Sequence, residues 1–358
     1  PASDFDPASD FDPASDFDPA SDFDPASDFD PASDFDPASD FDPASDFDPT
    51  YGYDLDALLA VPAPSPPADF DAFWQGLYAQ ALDVAVAPQL GPLEYEQDGM
   101  RVHGVTYTSS GGFRVGGWLT LPADGEVTRG LVVVHGYGGR TAPETTLPGP
   151  GTAAIWPCAR GLGDRSLSPE IPSLAAEHVL HGIAARDTYV HGGNAADVWC
   201  AATALRELVP QAGRLDYVGT SFGGGLGALA LPWDPRFTSG VLVVPSFGNI
   251  PLRLTLPCLG SGEAVRAHHA AHPEVVEVLR YFDAASAATR VNIPMLVAAA
   301  LYDPAVPPPG QFAVYNGLAA GVRELVVLSH GHAEYEGAEA EAAELRSAIH
   351  RFLTVEPG

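Results

Sequence analysis

The chain has 358 residues, 46% of them hydrophobic, and a formal net charge of −30 at pH 7. This length and composition predict a globular protein with a sizeable core and exclude a wholly disordered chain. The charge argues against nucleic acid and anionic membrane surfaces as partners, because both would repel it. No apolar run approaches the ~18 residues that a membrane helix needs, so we expect no membrane association.

The first segment, residues 1–48, is eight identical copies of PASDFD. Each copy carries two aspartates, so this segment supplies −16 of the net charge and the other residues −14. Its proline content and lack of cations predict disorder, since too little apolar area is available to offset the ordering entropy. Because no copy varies, we interpret the repeat as an artificial addition, with a spacer or binding tail as the alternative. Residues 49–358 are then the folded domain.

The domain begins with mixed elements. A proline-rich hinge leads into an amphipathic pattern that predicts a helix over about 69–82. Residues 101–122 alternate in polarity on both sides of a Ser-Ser-Gly-Gly turn, which predicts a β-hairpin.

The remainder of the chain shows short apolar runs separated by helix-like stretches. Runs of this kind are typical of strands covered on both faces. The runs lie at 130–136, 153–161, 214–219, 239–246, 293–303 and 323–331, and the helix-like stretches at 194–208, 222–231 and 311–320. The series predicts an α/β fold with a doubly wound, mostly parallel sheet and the antiparallel hairpin at its start. Connections 162–193 and 248–290 are candidates for helical cap insertions.

A candidate nucleophile lies in the stretch GTSFG, where Ser221 stands between two glycines. The motif follows a predicted strand and precedes a predicted helix, which is the context of a nucleophile elbow. In such a turn the flanking positions must be nearly bare so that strand and helix can approach. The alternative is an ordinary turn serine.

A serine nucleophile needs a base, and the base needs a carboxylate that fixes its tautomer. In this kind of sheet the chain order is Ser, then acid, then His. Of the histidines after Ser221, only His330 and His332 follow a buried type of strand; the others lie in the presumed cap or the last helix, namely His268, His269, His272 and His350. We select His332, which lies further from the strand end, and keep His330 as the alternative.

The candidate acid is Asp303, which ends an apolar run and opens the loop DPAVPPPGQ. Asp234 and Asp283 belong to helical surroundings instead. An Asp-Pro turn that caps the next helix is the alternative for Asp303. The oxyanion would need two backbone donors, and we expect them to be the amides of Phe222 and Tyr137, the latter in the glycine-rich loop HGYGGR.

Several motifs together resemble one known family. They are ADFDAFW, GGWLTLP, HGYGGR, ARG, GTSFGGG, YDPAVPPPGQFAVYN and GHAEY. The chain resembles carbohydrate esterase family 7, the acetyl xylan esterase and cephalosporin C deacetylase group of the α/β-hydrolases. The resemblance implies Ser221, Asp303 and His332 as catalytic triad and the Tyr137 and Phe222 amides as oxyanion hole. It also implies deacetylation of small acetylated sugars or related acetyl esters, no metal or cofactor, and a homo-oligomer that restricts bulky substrates.

The sequence departs from the family pattern at three positions. Leu162 follows Arg-Gly where glutamine is usual, Phe222 replaces a glutamine after the serine, and Ala333 separates His332 from Glu334. The predicted triad is unaffected. An apolar Phe222 beside the acyl group would favour apolar esters or a different alcohol.

Two rival functions share these features. A prolyl-type exopeptidase has the same sheet and triad, but the sequence shows neither a propeller domain nor an acidic amine-binding pocket. A non-catalytic protein of the same fold is the other rival, disfavoured by the presence of all three catalytic groups in the right order.

Cysteine usage bears on the compartment. The three cysteines, Cys158, Cys200 and Cys258, are odd in number and widely spaced. This predicts reduced thiols in a cytoplasmic protein and neither a disulfide framework nor a zinc site. The first basic residue is Arg101, so no secretory leader is visible, and a leader removed before residue 1 stays an alternative.

Overall fold

The computed structural model describes residues 47–354, and within them nine strands form one mixed sheet. The strands are β1 (Gln89–Gln97), β2 (Met100–Thr108), β3 (Arg114–Pro122), β4 (Arg129–Val134), β5 (Thr152–Pro157), β6 (Arg214–Thr220), β7 (Ser239–Val243), β8 (Met295–Tyr302) and β9 (Arg323–His330). Nearly all of the PASDFD repeat lies outside the described residues, so its interpretation, like the domain boundary at residue 49, stays a prediction.

The sheet has a parallel and an antiparallel part. Its order is β1-β2-β3-β5-β4-β6-β7-β8-β9, and the six strands from β5 to β9 in that order are mutually parallel. The predicted hairpin is β2 and β3, which are paired from Met100↔Pro122 to Thr108↔Arg114. The doubly wound, mostly parallel α/β sheet is therefore confirmed. Strand β1 was not predicted, because its residues are mostly exposed and include both glycine and proline.

Helices cover both faces of the parallel part. The α-helices of the described chain are α1 (Leu55–Leu59), α2 (Phe70–Leu82), α3 (Ala175–His178), α4 (Val190–Leu208), α5 (Phe222–Ala230), α6 (Ile250–Arg253), α7 (Gly260–Ala271), α8 (Val276–Leu279), α9 (Ala284–Ala288), α10 (Pro308–Gly317) and α11 (Ala338–Thr354). None of them has the combination of length and apolar character that crossing a membrane requires.

The core is divided by the sheet into two layers. In β4, Val132 and Val134 belong to the larger layer, which includes side chains of α2, α4, α5 and α10. Leu131 and Val133 point the other way, into a smaller layer closed by α11. Side chains of successive strand residues alternate between faces. Because both faces of these strands are buried, successive residues are all apolar, and this explains the continuous apolar runs of the sequence.

The two long connections touch each other, since α3 packs against α7. Connection 248–290 contains α6 to α9 and is helical, as predicted. Connection 162–193 contains only α3 and the start of α4, and otherwise consists of turns and irregular backbone.

One long-range ion pair ties the end of β5 to helix α4. The Arg160 guanidinium donates to both carboxylate oxygens of Asp197, at 2.9 and 2.7 Å. Asp197 is 3% exposed. The pair is bidentate, which gives it a fixed geometry as well as charge. It therefore sets the position of α4 against the sheet.

Removing one partner of this pair is expected to destabilise the fold. Asp197→Asn keeps the side-chain shape but leaves the buried Arg160 cation without its counter-charge, which should cost about 3 kcal/mol in the free energy of unfolding. Urea denaturation measures this loss. The control is Glu207→Gln, an exposed acid in the same helix, for which a change of less than about 0.5 kcal/mol is expected. Equal stabilities of the two variants would contradict the structural role of the pair.

Candidate active site

Ser221 occupies a sharp turn between β6 and α5. Its backbone has φ 55° and ψ −112°, a conformation that L-residues rarely adopt. Two hydrogen bonds from the end of β7 hold it there: the Ser221 amide donates to the Val243 carbonyl at 2.8 Å, and the Ser246 amide donates to the Ser221 carbonyl at 3.0 Å. The turn places Ser221 at the carboxyl edge of the parallel strands.

The two glycines that flank the nucleophile turn are required because no side chain fits at their positions. A Cβ atom at Gly219 would overlap the Gly223 carbonyl, and one at Gly223 would overlap the Val134 carbonyl of β4. The strand, the helix and the neighbouring strand therefore approach more closely than any side chain permits. This is the physical reason for the two glycines of the motif.

The structure brings Ser221, His332 and Asp303 together. His332 Nε2 lies 2.9 Å from Ser221 Oγ, and His332 Nδ1 lies 2.8 Å from Asp303 Oδ2. The exposed fractions of the three residues are 4%, 2% and 0%. In the neutral ring, Nδ1–H donates to the carboxylate and Nε2 accepts from the serine hydroxyl. This tautomer and orientation are those that a general base for Ser221 needs.

Asp303 is fixed by further donors. Its Oδ1 accepts from the amides of Ala305 and Val306, at 2.9 and 2.8 Å. Its Oδ2 also accepts from Gln311 Nε2 of α10 at 2.8 Å. Gln311 Oε1 in turn accepts from the Ala300 amide in β8. Asp303 thus forms the predicted turn and also contacts the histidine, so the two interpretations of this residue are compatible.

The other candidate side chains do not reach the serine. The His330 ring stacks on Tyr335 at 4.3 Å between ring centroids, beside Tyr302. His268 and His269 lie in α7, His272 directly follows that helix, and His350 lies in α11. Asp234 pairs with Arg236. Asp283 caps α9, and burial raises its pKa to about 6.

The two residues expected to supply the oxyanion donors lie against each other. Phe222 is the first residue of α5, where an amide has no acceptor within the helix and the helix dipole favours negative charge. The Tyr137 ring lies 4.5 Å from the Phe222 ring. The Phe222 side chain is fully buried. It packs among the rings of Tyr137, His178, His191 and Phe247, and not at the surface of a cleft.

Two of these packed rings are buried histidines. His178 Nε2 donates to the Arg160 carbonyl at 2.9 Å, and its Nδ1 is 3.4 Å from the Tyr137 hydroxyl. Burial lowers the pKa of His178 to about 4 and that of His191 well below its usual value. Both rings are therefore neutral near pH 7. Sequence reasoning missed them, as it missed Gln311, because nothing local marks a residue whose partners are distant in the chain.

The fold and this arrangement of side chains define a class of enzyme. A serine in a strained strand-turn-helix, hydrogen-bonded to a histidine that is oriented by a buried carboxylate, is the arrangement of serine hydrolases on the α/β-hydrolase sheet.

The family follows from comparison of the whole chain. Residues 59–350 match the family model described as acetyl xylan esterase (AXE1), so the chain belongs to that family and is a carboxylic ester hydrolase.

Solved structures agree with this fold. The acetyl xylan esterase from Paenibacillus sp. R4 is 23% identical, with a TM-score of 0.69 over 83% of this chain and 99% of that one. Acetyl xylan esterase 1 from Thermoanaerobacterium sp. JW/SL YS485 is 19% identical, with a TM-score of 0.68 over 86% and 100%. The Pyrococcus horikoshii acylaminoacyl peptidase is 15% identical, with a TM-score of 0.56 over 74% of this chain but 44% of that one.

The buried histidines predict sensitivity to acid. His178 has a pKa of about 4 in the folded state and 6.5 as the unperturbed value, so between these the unfolded chain binds the extra proton. Stability is then lost as pH falls from about 6.5 to about 4, by about 3 kcal/mol for this group. His178→Gln should remove that part of the decline. Urea denaturation at several pH values measures it.

The control for acid sensitivity is His350→Gln, which changes an exposed histidine of α11. This variant should keep the wild-type decline. A His178→Gln variant that loses as much stability between pH 7 and pH 4 as the wild type would contradict the assignment.

Proposed function

We propose that the enzyme cleaves acetyl esters by acyl transfer through Ser221. His332 takes the proton from Ser221 Oγ as the serine attacks the ester carbonyl, and Asp303 holds the imidazole in the required tautomer and stabilises the imidazolium. The alcohol leaves with the proton from His332, and water then releases acetate from the acyl-enzyme by the same steps in reverse. The hydrogen-bonded chain from Asp303 through His332 to Ser221 carries this proposal.

The oxyanion of each tetrahedral intermediate is stabilised, in this proposal, by the amides of Phe222 and Tyr137. The position of Phe222 at the N-terminus of α5 supports its role, because a free amide there is combined with the positive end of the helix dipole. The contact between the Tyr137 and Phe222 rings supports the second role, since it fixes the two residues relative to each other.

The proposed substrates are small acetylated sugars and related acetyl esters, including acetylated cephalosporins. Family membership supports this class of substrate. A prolyl-type exopeptidase is not favoured, since the likeness to an acylaminoacyl peptidase is one of fold and covers less than half of that protein. Water is the final acyl acceptor, and the proposed chemistry needs no metal or cofactor.

We also propose that the protein is a homo-oligomer in the cytoplasm. β1 is an edge strand of the sheet within residues 47–354, and two of its leucines, Leu90 and Leu93, are 42% and 47% exposed. An edge strand with exposed apolar side chains supports assembly with a second copy. Three buried free thiols support a reducing compartment.

Replacing the nucleophile tests the reaction. Ser221→Ala should lower kcat for 4-nitrophenyl acetate and glucose pentaacetate by about 10⁶-fold, because triad members act as a unit. Labelling by a fluorophosphonate should be lost in the same variant. Wild-type cleavage of dipeptide amides faster than acetate esters would favour the peptidase alternative, and esterase activity that survives in Ser221→Ala would refute the assignment.

The two neighbouring histidines provide a matched test of the base. His332→Ala should lower kcat by about 10⁶-fold, since the triad fails as a unit. His330→Ala, which removes a ring stacked on Tyr335, should leave kcat within about threefold, the range of changes of roughly 0.6 kcal/mol. Steady-state rates on one acetate ester measure both. The reverse order of effects would make His330 the base.

A further inference from the structure

A cavity of about 40 Å³ is lined in part by residues that support the nucleophile turn and the acid. Its wall includes Ser246, whose amide binds the Ser221 carbonyl, and Ala305 and Val306, whose amides bind Asp303. The rest of its lining is mostly apolar. The cavity therefore shares residues with the supports of both Ser221 and Asp303.

The first polar group on this wall is the His191 ring. His191 is 1% exposed, and within residues 47–354 its Nε2 has no hydrogen-bond partner. Asn194 Nδ2 lies 3.3 Å from His191 Nδ1 and donates to it, so the proton of the neutral ring is on Nε2. A buried N–H without an acceptor is costly unless something supplies one.

The second polar group is the Arg253 guanidinium at the end of α6. Its Nη1 is buried without an acceptor, and Arg253 forms no ion pair within 4 Å with any described residue. A Cβ atom at Gly262 would overlap Arg253 Nη2, so the absence of a side chain at this glycine makes room for the cation at this wall.

No carboxylate of residues 47–354 lines the cavity. The nearest candidate in sequence, Glu263, is engaged by Arg266 at 2.6 and 2.8 Å and by the Cys258 amide. Arg253 also attracts Glu263 electrostatically, as Arg266 does, and both guanidinium groups help to keep the pKa of that carboxyl low. One carboxylate beside two guanidinium groups leaves an excess positive charge at this wall, which favours negative charge in a ligand.

We propose that this cavity binds a carboxylate carried by the ester substrate, with Arg253 and His191 Nε2 as its donors. The inference rests on the proposed esterase function and narrows its substrates to acidic esters. An N–H donor and a guanidinium together suit a carboxylate, whose hydrogen bonds to a cation are shorter and stronger than neutral ones. The apolar remainder of the wall excludes water, which strengthens the interaction.

The carboxylate could belong to the acyl group or to the alcohol, and two pairs of esters distinguish these sources. For the acyl side, the hemisuccinate and succinamate esters of one alcohol are compared. For the alcohol side, 4-acetoxybutanoate is compared with 4-acetoxybutanamide. Within each pair, carboxylate and amide have nearly the same shape. We expect kcat/KM of the wild-type enzyme to favour the carboxylate by at least about tenfold in one pair, the value for one charge-assisted hydrogen bond.

Variants assign the preference to the cavity. Arg253→Gln should abolish the carboxylate-to-amide ratio, whereas Arg253→Lys, which keeps the charge, should retain part of it. His191→Phe should lower the ratio because it removes the N–H at similar volume. The matched control is Arg346→Gln, an exposed residue of α11, which changes the net charge equally and should keep the wild-type ratio.

The outcomes are distinct from those that test the esterase itself. Equal kcat/KM for carboxylate and amide in both pairs overturns the proposal, as does a preference that Arg253→Gln leaves intact, even when 4-nitrophenyl acetate is hydrolysed and a fluorophosphonate labels Ser221. If Arg253→Gln fails to fold, two measurements still test the proposal: the carboxylate-to-amide ratio of the wild type, and the reduced ratio that is expected of Arg253→Lys. A wild-type enzyme that is not labelled by the fluorophosphonate and hydrolyses no ester would instead refute the proposed function.

Discussion

The left-handed turn at Ser221 is the constraint on which the arrangement of this protein depends. A residue with φ 55° persists only where its surroundings fix it, and here three neighbouring strands do so. β6 enters the turn, the β7 end binds the Ser221 amide, and the Val134 carbonyl of β4 lies against Gly223. The central position of β6 between β4 and β7 is therefore a requirement of the site as well as of the sheet.

The histidine and the acid depend on the same sheet in a different way. Asp303 and His332 follow β8 and β9, which are adjacent and parallel, so their loops emerge side by side at the edge where Ser221 lies. Close contact between the histidine and the acid also requires a glycine at position 331, because a Cβ atom on Gly331 would overlap Asp303 Oδ2. The chain before α1 also contributes, since the Asp303 amide donates to the Pro49 carbonyl. The residues just before the first helix thus help to hold the acid loop.

The parts that sequence predicted are those governed by local chemistry. Continuous apolar runs indicated the parallel strands, and the glycines around Ser221 indicated its turn, because each pattern reports a constraint within a few residues. The missed features involve partners far apart in the chain. Gln311 bridges Asp303 and the Ala300 amide, Arg160 pairs with Asp197 over 37 positions, and the exposed strand β1 carries no periodic signal. Such contacts are set by tertiary packing, which a sequence pattern does not encode.

Phe222 shows how one departure from the family pattern propagates. The expectation was a ring beside the acyl group, but the ring is fully buried and packs on His191 and Phe247, which do line the cavity beside Ser221. An apolar ring offers no hydrogen bond to the histidine it covers, so His191 Nε2 has no acceptor within the described chain. That N–H is the donor proposed above for the carboxylate of the substrate. A residue proposed to provide only a backbone amide to the reaction thus shapes, through its side chain, the polar groups at the wall of the neighbouring cavity.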